Sequence, residues 1–260
     1  MYVKTKIGLA MRGRGNINKV LYIFLLLLGI FVTAANGEDV TVVSLADMAD
    51  IGVYEVTGNY DAEMPDGSSN VLPRQKIAME FYKTHQDSYD FLVIFSAFDF
   101  KMPQNEAIAF YQEVRNDIQG IGKQEFDHSS LFGSQGVLQG IIDMGNINSL
   151  DSDPLDPAFS DTMGTLSHEL LHRWAASVTF RSDDNSISRD LLGRGGSHWS
   201  FLLDTAGSLE YGNRWVDNGN GTFTSLAGRR YFSPLDMYLM GLVGKNEVPP
   251  MLLIENPDID

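Results

Sequence analysis

A chain of 260 residues, 43% of them hydrophobic and 20% charged, has enough apolar surface for one sizeable core and is neither disordered nor collagen-like. Its formal charge of −15 argues against nucleic acid or an anionic membrane as partner. There is no cysteine, so disulfides are excluded and any metal must be held by histidine and carboxylate rather than thiolate.

The N-terminal segment differs from the rest. Lys4, Lys6, Arg12, Arg14 and Lys19 all precede the first acid, Glu38. Residues 20–35, VLYIFLLLLGIFVTAA, are apolar, and Thr33, Ala34, Ala35 and Gly37 supply small residues at their end. Basic, then apolar, then small is the order of a secretory signal peptide, predicted over residues 1–37 with the cut between Ala34 and Gly37. The apolar run is about 16 residues, shorter than the roughly 20 that a spanning helix needs. No stable membrane span is therefore expected after cleavage; an uncleaved anchor is the alternative. Removing five positive charges takes the net charge from −15 to −20 for residues 38–260. The expected location is secreted, extracellular or periplasmic.

The β-branched runs at residues 40–43 and 53–56 predict strands. Residues 61–70 are rich in Gly, Ser, Asp and Pro and predict a loop. Pro73 opens a helix with Ile77, Phe81 and Tyr82 on one side. YDFLVIFSAF, residues 89–98, predicts a buried central strand. Residues 105–118 fit either a helix or a strand. GVLQGIIDMGNI, residues 136–147, predicts a strand whose glycines suit a sheet edge, where an extended substrate could add as a further strand. An acidic, proline-bearing loop at residues 151–161 follows, with Ser160 or Asp161 as helix cap. The next helix is predicted from about Thr162 to Phe180, on the apolar positions Met163, Leu166, Leu170, Trp174 and Val178. A hairpin is expected at WVDNGNGTFT. A last helix is expected in YFSPLDMYLMGL, started by Ser233 and Pro234 and stopped at Gly241. The order predicts an α+β fold, with a long helix packed on a sheet.

SHELLHRW, within that long helix, carries the chemistry. His168 and His172 are four apart, so one turn of 3.6 residues places both rings on one face, where they can share a zinc ion. Glu169 is rotated about 100° from His168 and suits a different role. It can take the proton of a zinc-bound water whose pKa the metal lowers to about 7, and pass it to a leaving amine.

On the residues HELLH, the chain resembles the zincin metallopeptidases. The resemblance implies His168 and His172 as zinc ligands and Glu169 as general base. It also implies a mixed twisted sheet packed on the active-site helix, with a lobe at residues 38–180 and a smaller C-terminal subdomain at 181–260. The subfamily is unassigned. The metzincin continuation HExxHxxGxxH is absent, because Ala175 and Val178 stand where its glycine and third histidine would be, so the helix is expected to run on. The gluzincin ExxxD is absent too: Glu210 is the only glutamate between the motif and Glu247, and Arg214 follows it four residues on.

A catalytic zinc usually takes three protein ligands and a water. The first candidate for the third is His198 in GRGGSHW, the only histidine after the motif, where glycines 193, 195 and 196 let the backbone bend close to a site. Asp236 is the second candidate, with the alternative that its carboxylate bonds backbone N–H groups at a helix start. Asp204 is the third. Tyr231 and Tyr238 are candidate transition-state stabilisers, against an alternative of plain packing. His85 and His128 read as non-ligands. DNGNG, residues 217–221, and the acidic loop at 151–161 have a weak calcium-loop character, with a turn and a solvated loop as the plain readings. The chain stops at ENPDID without a capping element, which suits a piece of a longer protein.

The expected function is a secreted zinc-dependent endopeptidase acting on protein or peptide. The alternatives are a non-catalytic cell-surface binding or adhesion module on a degenerate zincin scaffold, and a zinc hydrolase of a non-peptide bond.

Overall fold

The computed structural model describes residues 4–11, 40–103 and 107–255. The apolar run at 20–35 and the predicted cleavage point lie outside the described residues. Among the described residues no helix is long and apolar enough to cross a membrane.

The fold is mixed α+β, with several small sheets and few helices. Two compact units make it up: residues 1–116 with 126–169, and residues 117–125 with 170–260. The division falls inside the predicted metal helix.

The first unit is built on a six-stranded sheet. Its strands are β1 (Lys4–Met11), β2 (Thr41–Met48), β3 (Ile51–Thr57), β4 (Phe91–Ser96), β5 (Phe110–Glu113) and, after the short hairpin of β6 (Arg115–Asn116) and β7 (Phe126–Asp127), β8 (Gly140–Asn146). The order across the sheet is β2-β3-β1-β4-β8-β5. β1 pairs antiparallel with both β3 and β4, β4 and β8 run parallel, and β5 closes the sheet antiparallel to β8. β1 belongs to the segment predicted as a leader, so cleavage before Gly37 would take this strand out of the sheet.

Sequence explains most of these elements. The 40–43 and 53–56 runs lie in or against β2 and β3, and the 89–98 run contains β4, three of whose residues are consecutively buried. The helix α1 (Leu72–Phe81) has Pro73 in its first turn and buries Ile77 and Phe81. Their side chains join a core with Tyr54, Leu92, Ile94 and Ile141. Residues 105–118, which fit either a helix or a strand, give the strands β5 and β6. One expectation needs correction: β8 is not an edge strand. It lies between β4 and β5, with six of its seven residues buried, and its glycines serve close packing. A Cβ on Gly140 would meet the Tyr111 ring at 2.2 Å. The edge strand at that end is β5.

The helix α2 (Phe159–Leu171) starts earlier and stops earlier than its apolar period suggests. Ser160 and Asp161 lie inside its first turn rather than capping it. Beyond Leu171 the N–H groups of Arg173 and Trp174 bond the carbonyls of Leu170 and Leu171, three residues back, which tightens the last turn. Ala175 and Ala176 then enter the core of the second unit, with Leu171, Trp199 and Leu203. That burial ends the helix where no glycine marks an end.

In the second unit, β9 (Phe180–Arg181) and β10 (Ile187–Ser188) form a small ribbon. A three-stranded sheet follows: β11 (Trp199–Asp204), β12 (Tyr211–Asp217) and β13 (Phe223–Leu226). β12 and β13 form the expected hairpin. α3 (Pro234–Leu239) has Ser233 as its N-cap in a reciprocal capping box with Asp236.

Candidate metal centre

Three segments supply the site. The end of α2 presents His168 and His172, one turn apart as HELLH requires. Lys123 donates a hydrogen bond to the His172 carbonyl, placing a cation at the negative end of the helix. Arg173, next in sequence, is buried and pairs with Asp117 at 2.8 Å, so the 117–125 excursion braces this turn from both sides.

His198 comes from a 3₁₀ turn at Arg194–Gly196. Gly195 and Gly196 have φ of +63° and +69°, which side chains with a Cβ disfavour. The turn aims the Arg194 carbonyl at His198 Nδ1, 2.9 Å away. A carbonyl only accepts, so Nδ1 carries the proton and Nε2 is left as the donor atom for a metal. Burial pushes the pKa of His198 below its ordinary value and the Arg194 charge adds to this, while the Arg194 carbonyl opposes it.

Glu210 precedes β12, in a tight turn closed by the Ser208 N–H on the Tyr211 carbonyl. Tyr211 has φ +69°, a left-handed conformation that is rare without glycine and that the turn imposes. The Glu210 side chain is fully buried. Its Oε1 is 3.4 Å from His172 Nδ1 and its Oε2 is 3.8 Å from His198 Nε2. The His172 and His198 rings meet edge to face at 5.0 Å, and the Tyr211 ring lies 4.8 Å from that of His198.

His168, His172, His198 and Glu210 thus form one group, in which a ligand atom from each lies within 4.8 Å of all the others. Four donors bonded to one zinc at about 2.0–2.2 Å would sit about 3.4 Å apart, so small side-chain rotations would close the group on an ion. The donor set fits as well: neutral imidazoles and a carboxylate suit a divalent ion of intermediate softness. A buried carboxylate among imidazoles also gains from a cation that would offset its desolvation.

Glu169 sits beside the group without joining it. Its Oε1 is 4.0 Å from His168 Nε2. Burial raises its pKa to about 7, against a hydrogen bond from the Tyr111 backbone N–H that lowers it.

Of the predicted residues, the structure unites His168, His172 and His198. Asp236 is not in the group: its oxygens accept from Trp199 Nε1, Ser208 Oγ and the Ser233 N–H. The helix-start alternative is the one observed. Asp204 is also elsewhere, accepting from the N–H groups of Ala206 and Trp215. Tyr231 and Tyr238 are exposed and make no hydrogen bond or ring contact with the four residues among the described ones; the tyrosine at the site is Tyr211. His85 stacks on Phe81 and reaches Asp47, and His128 leans on Phe126. Residues 217–221 form a hairpin turn in which Asp217 accepts from the Gly219 N–H. The residue that sequence reasoning set aside is Glu210. Its one signal was being the only glutamate for a long stretch after the motif; requiring an ExxxD pattern hid it.

No family model matches the chain, and neither a curated protein nor a solved structure matches it.

Proposed function

We propose that this protein is a secreted zinc-dependent endopeptidase of zincin type. The observation that carries the reading is the meeting of His198 and Glu210 with the two histidines of HELLH, while the glutamate of the motif stays outside the donor group. A helix that spelled HExxH by chance would have no reason to find two further donors, from separate segments, at its histidines.

In this reading His168, His172, His198 and Glu210 would hold the ion, and water would add as a fifth ligand. Bound zinc would polarise the scissile carbonyl and make water more acidic. Glu169 takes the proton of the attacking water and hands it to the leaving amine. Its burial supports this role, because a carboxylate screened from bulk solvent keeps its proton for the reaction. The Tyr111 N–H holds Glu169, and Tyr111 is on edge strand β5, whose outer side suits pairing with an extended peptide.

The test is zinc content and peptide cleavage of the purified chain, wild type beside Glu169→Ala. About one zinc in both proteins, with turnover lower by about 10²–10⁴ in the variant, is expected. No zinc in folded, zinc-supplied wild type would sink the metal reading. Zinc without cleavage of any peptide would favour the binding module. Export is part of the proposal: a secreted chain starting at residue 35, 36 or 37 by mass supports the leader, and one that keeps residues 4–11 overturns it.

A further inference from the structure

Asp236 is fully buried, and its hydrogen bonds exceed what a helix cap needs. The cap uses the Ser233 N–H on Oδ2, at 2.7 Å, and returns the Asp236 N–H to Ser233 Oγ at 3.2 Å. Two further donors reach the same carboxylate. Trp199 Nε1 donates to Oδ1 at 2.8 Å, and Ser208 Oγ donates to Oδ2 at 2.6 Å. These two side chains belong to the segments that carry the downstream metal donors. Trp199 directly follows His198. Ser208 Oγ, which donates its O–H to Asp236, accepts from the backbone N–H of Glu210 at 2.9 Å. The Trp199 N–H in turn donates to the Glu210 carbonyl at 2.9 Å. Asp236, Trp199, Ser208 and Glu210 are all buried, so water cannot replace a lost bond cheaply.

We infer that Asp236 is the positioning residue of the metal centre: one carboxylate holds the His198 segment through Trp199 and the Glu210 segment through Ser208, and so sets the separation of the two donors. The inference rests on the metal-site reading. A carboxylate suits the place because three donors converge on its two oxygens. Asparagine has one oxygen. Either orientation of its amide would point N–H at a group that only donates, the Trp199 indole or the Ser233 backbone N–H.

The experiment measures the zinc dissociation constant of the full chain by competition with a chromogenic chelator, and the visible spectrum after cobalt substitution. The proteins are wild type, Asp236→Asn, Ser208→Ala and Ser233→Ala. Asp236→Asn and Ser208→Ala are expected to bind zinc about 10- to 100-fold more weakly, as loss of an outer partner of a ligand does. Their cobalt bands should shift. Ser233→Ala removes only the cap acceptor, keeps the backbone N–H on Oδ2, and should lower the melting temperature without moving the zinc constant or the spectrum. Wild-type zinc affinity and spectrum in folded Asp236→Asn would overturn the inference while leaving the metal centre standing. Should Asp236→Asn fail to fold, Ser208→Ala decides by the same criterion. Folded wild type that binds no zinc would overturn the metal reading and this inference with it.

Discussion

Among the carboxylates that are completely buried, Asp143 in the first unit and Glu210 in the second are surrounded in opposite ways. In the first unit Asp143 of β8 meets permanent donors. Arg74 of α1 approaches Oδ2 through Nε at 3.0 Å and Nη2 at 2.9 Å, Tyr60 donates to the same oxygen at 2.5 Å, and the Gly145 N–H donates to Oδ1 at 3.1 Å. The Arg74 guanidinium also lies 3.9 Å from the centre of the Tyr60 ring. This acid carries its own cation, so its role is to join α1 to the sheet. In the second unit Glu210 faces the imidazoles of His172 and His198. With His168 these three residues form a group that could hold a metal ion. The acid beside arginine is paired with a permanent cation, whereas the acid beside the histidines belongs to a group that could hold a metal ion.

The comparison predicts different failures. Asp143→Asn leaves Arg74 buried without its counter-charge and is expected to cost about 3–5 kcal/mol in unfolding free energy, with zinc affinity of the folded protein unchanged; denaturant unfolding measures it. Glu210→Gln should do the reverse. Zinc affinity should fall by more than the about 100-fold of an outer-partner loss. Without metal the variant should melt close to wild type, because the substitution keeps the side-chain size and removes a charge that is costly to bury. Zinc at one hundred times its dissociation constant should add about 2.7 kcal/mol to the wild type and far less to this variant, read by thermal melting with and without the ion. If Glu210→Gln destabilises the metal-free chain as much as Asp143→Asn destabilises its unit, the two acids play the same part and the contrast fails. The smallest effect is expected for Ser233→Ala, which costs about 1 kcal/mol through the lost cap of α3 and leaves zinc binding alone.

Several local features were legible without the fold because short-range physics decides them. Pro73 and Ser233 mark helix starts, the 89–98 run buries itself, and the DNGNG turn makes a hairpin. His168 and His172 are adjacent in any helix that contains them. His198 was legible more weakly, from a lone histidine among glycines that can turn the backbone. The errors have one cause in common. The end of α2 and the interior place of β8 were each decided by partners remote in sequence, against a local pattern that read otherwise; at residues 110–113, where the local pattern allowed helix or strand, pairing with β8 chose the strand. Ala175 and Ala176 leave the helical course and join Leu171, the last residue of α2, in a second core.

The sequence by itself determined a metal-competent helix, an acidic chain without thiols and the punctuation of its elements, since these depend on residue type and spacing alone. Only the tertiary structure decided that Glu210 joins the three histidines, that Asp236 and Asp204 do not, and which acid is paired with arginine. A carboxylate has the same formula in each case, and its role is set by the donors that folding brings within about 3 Å.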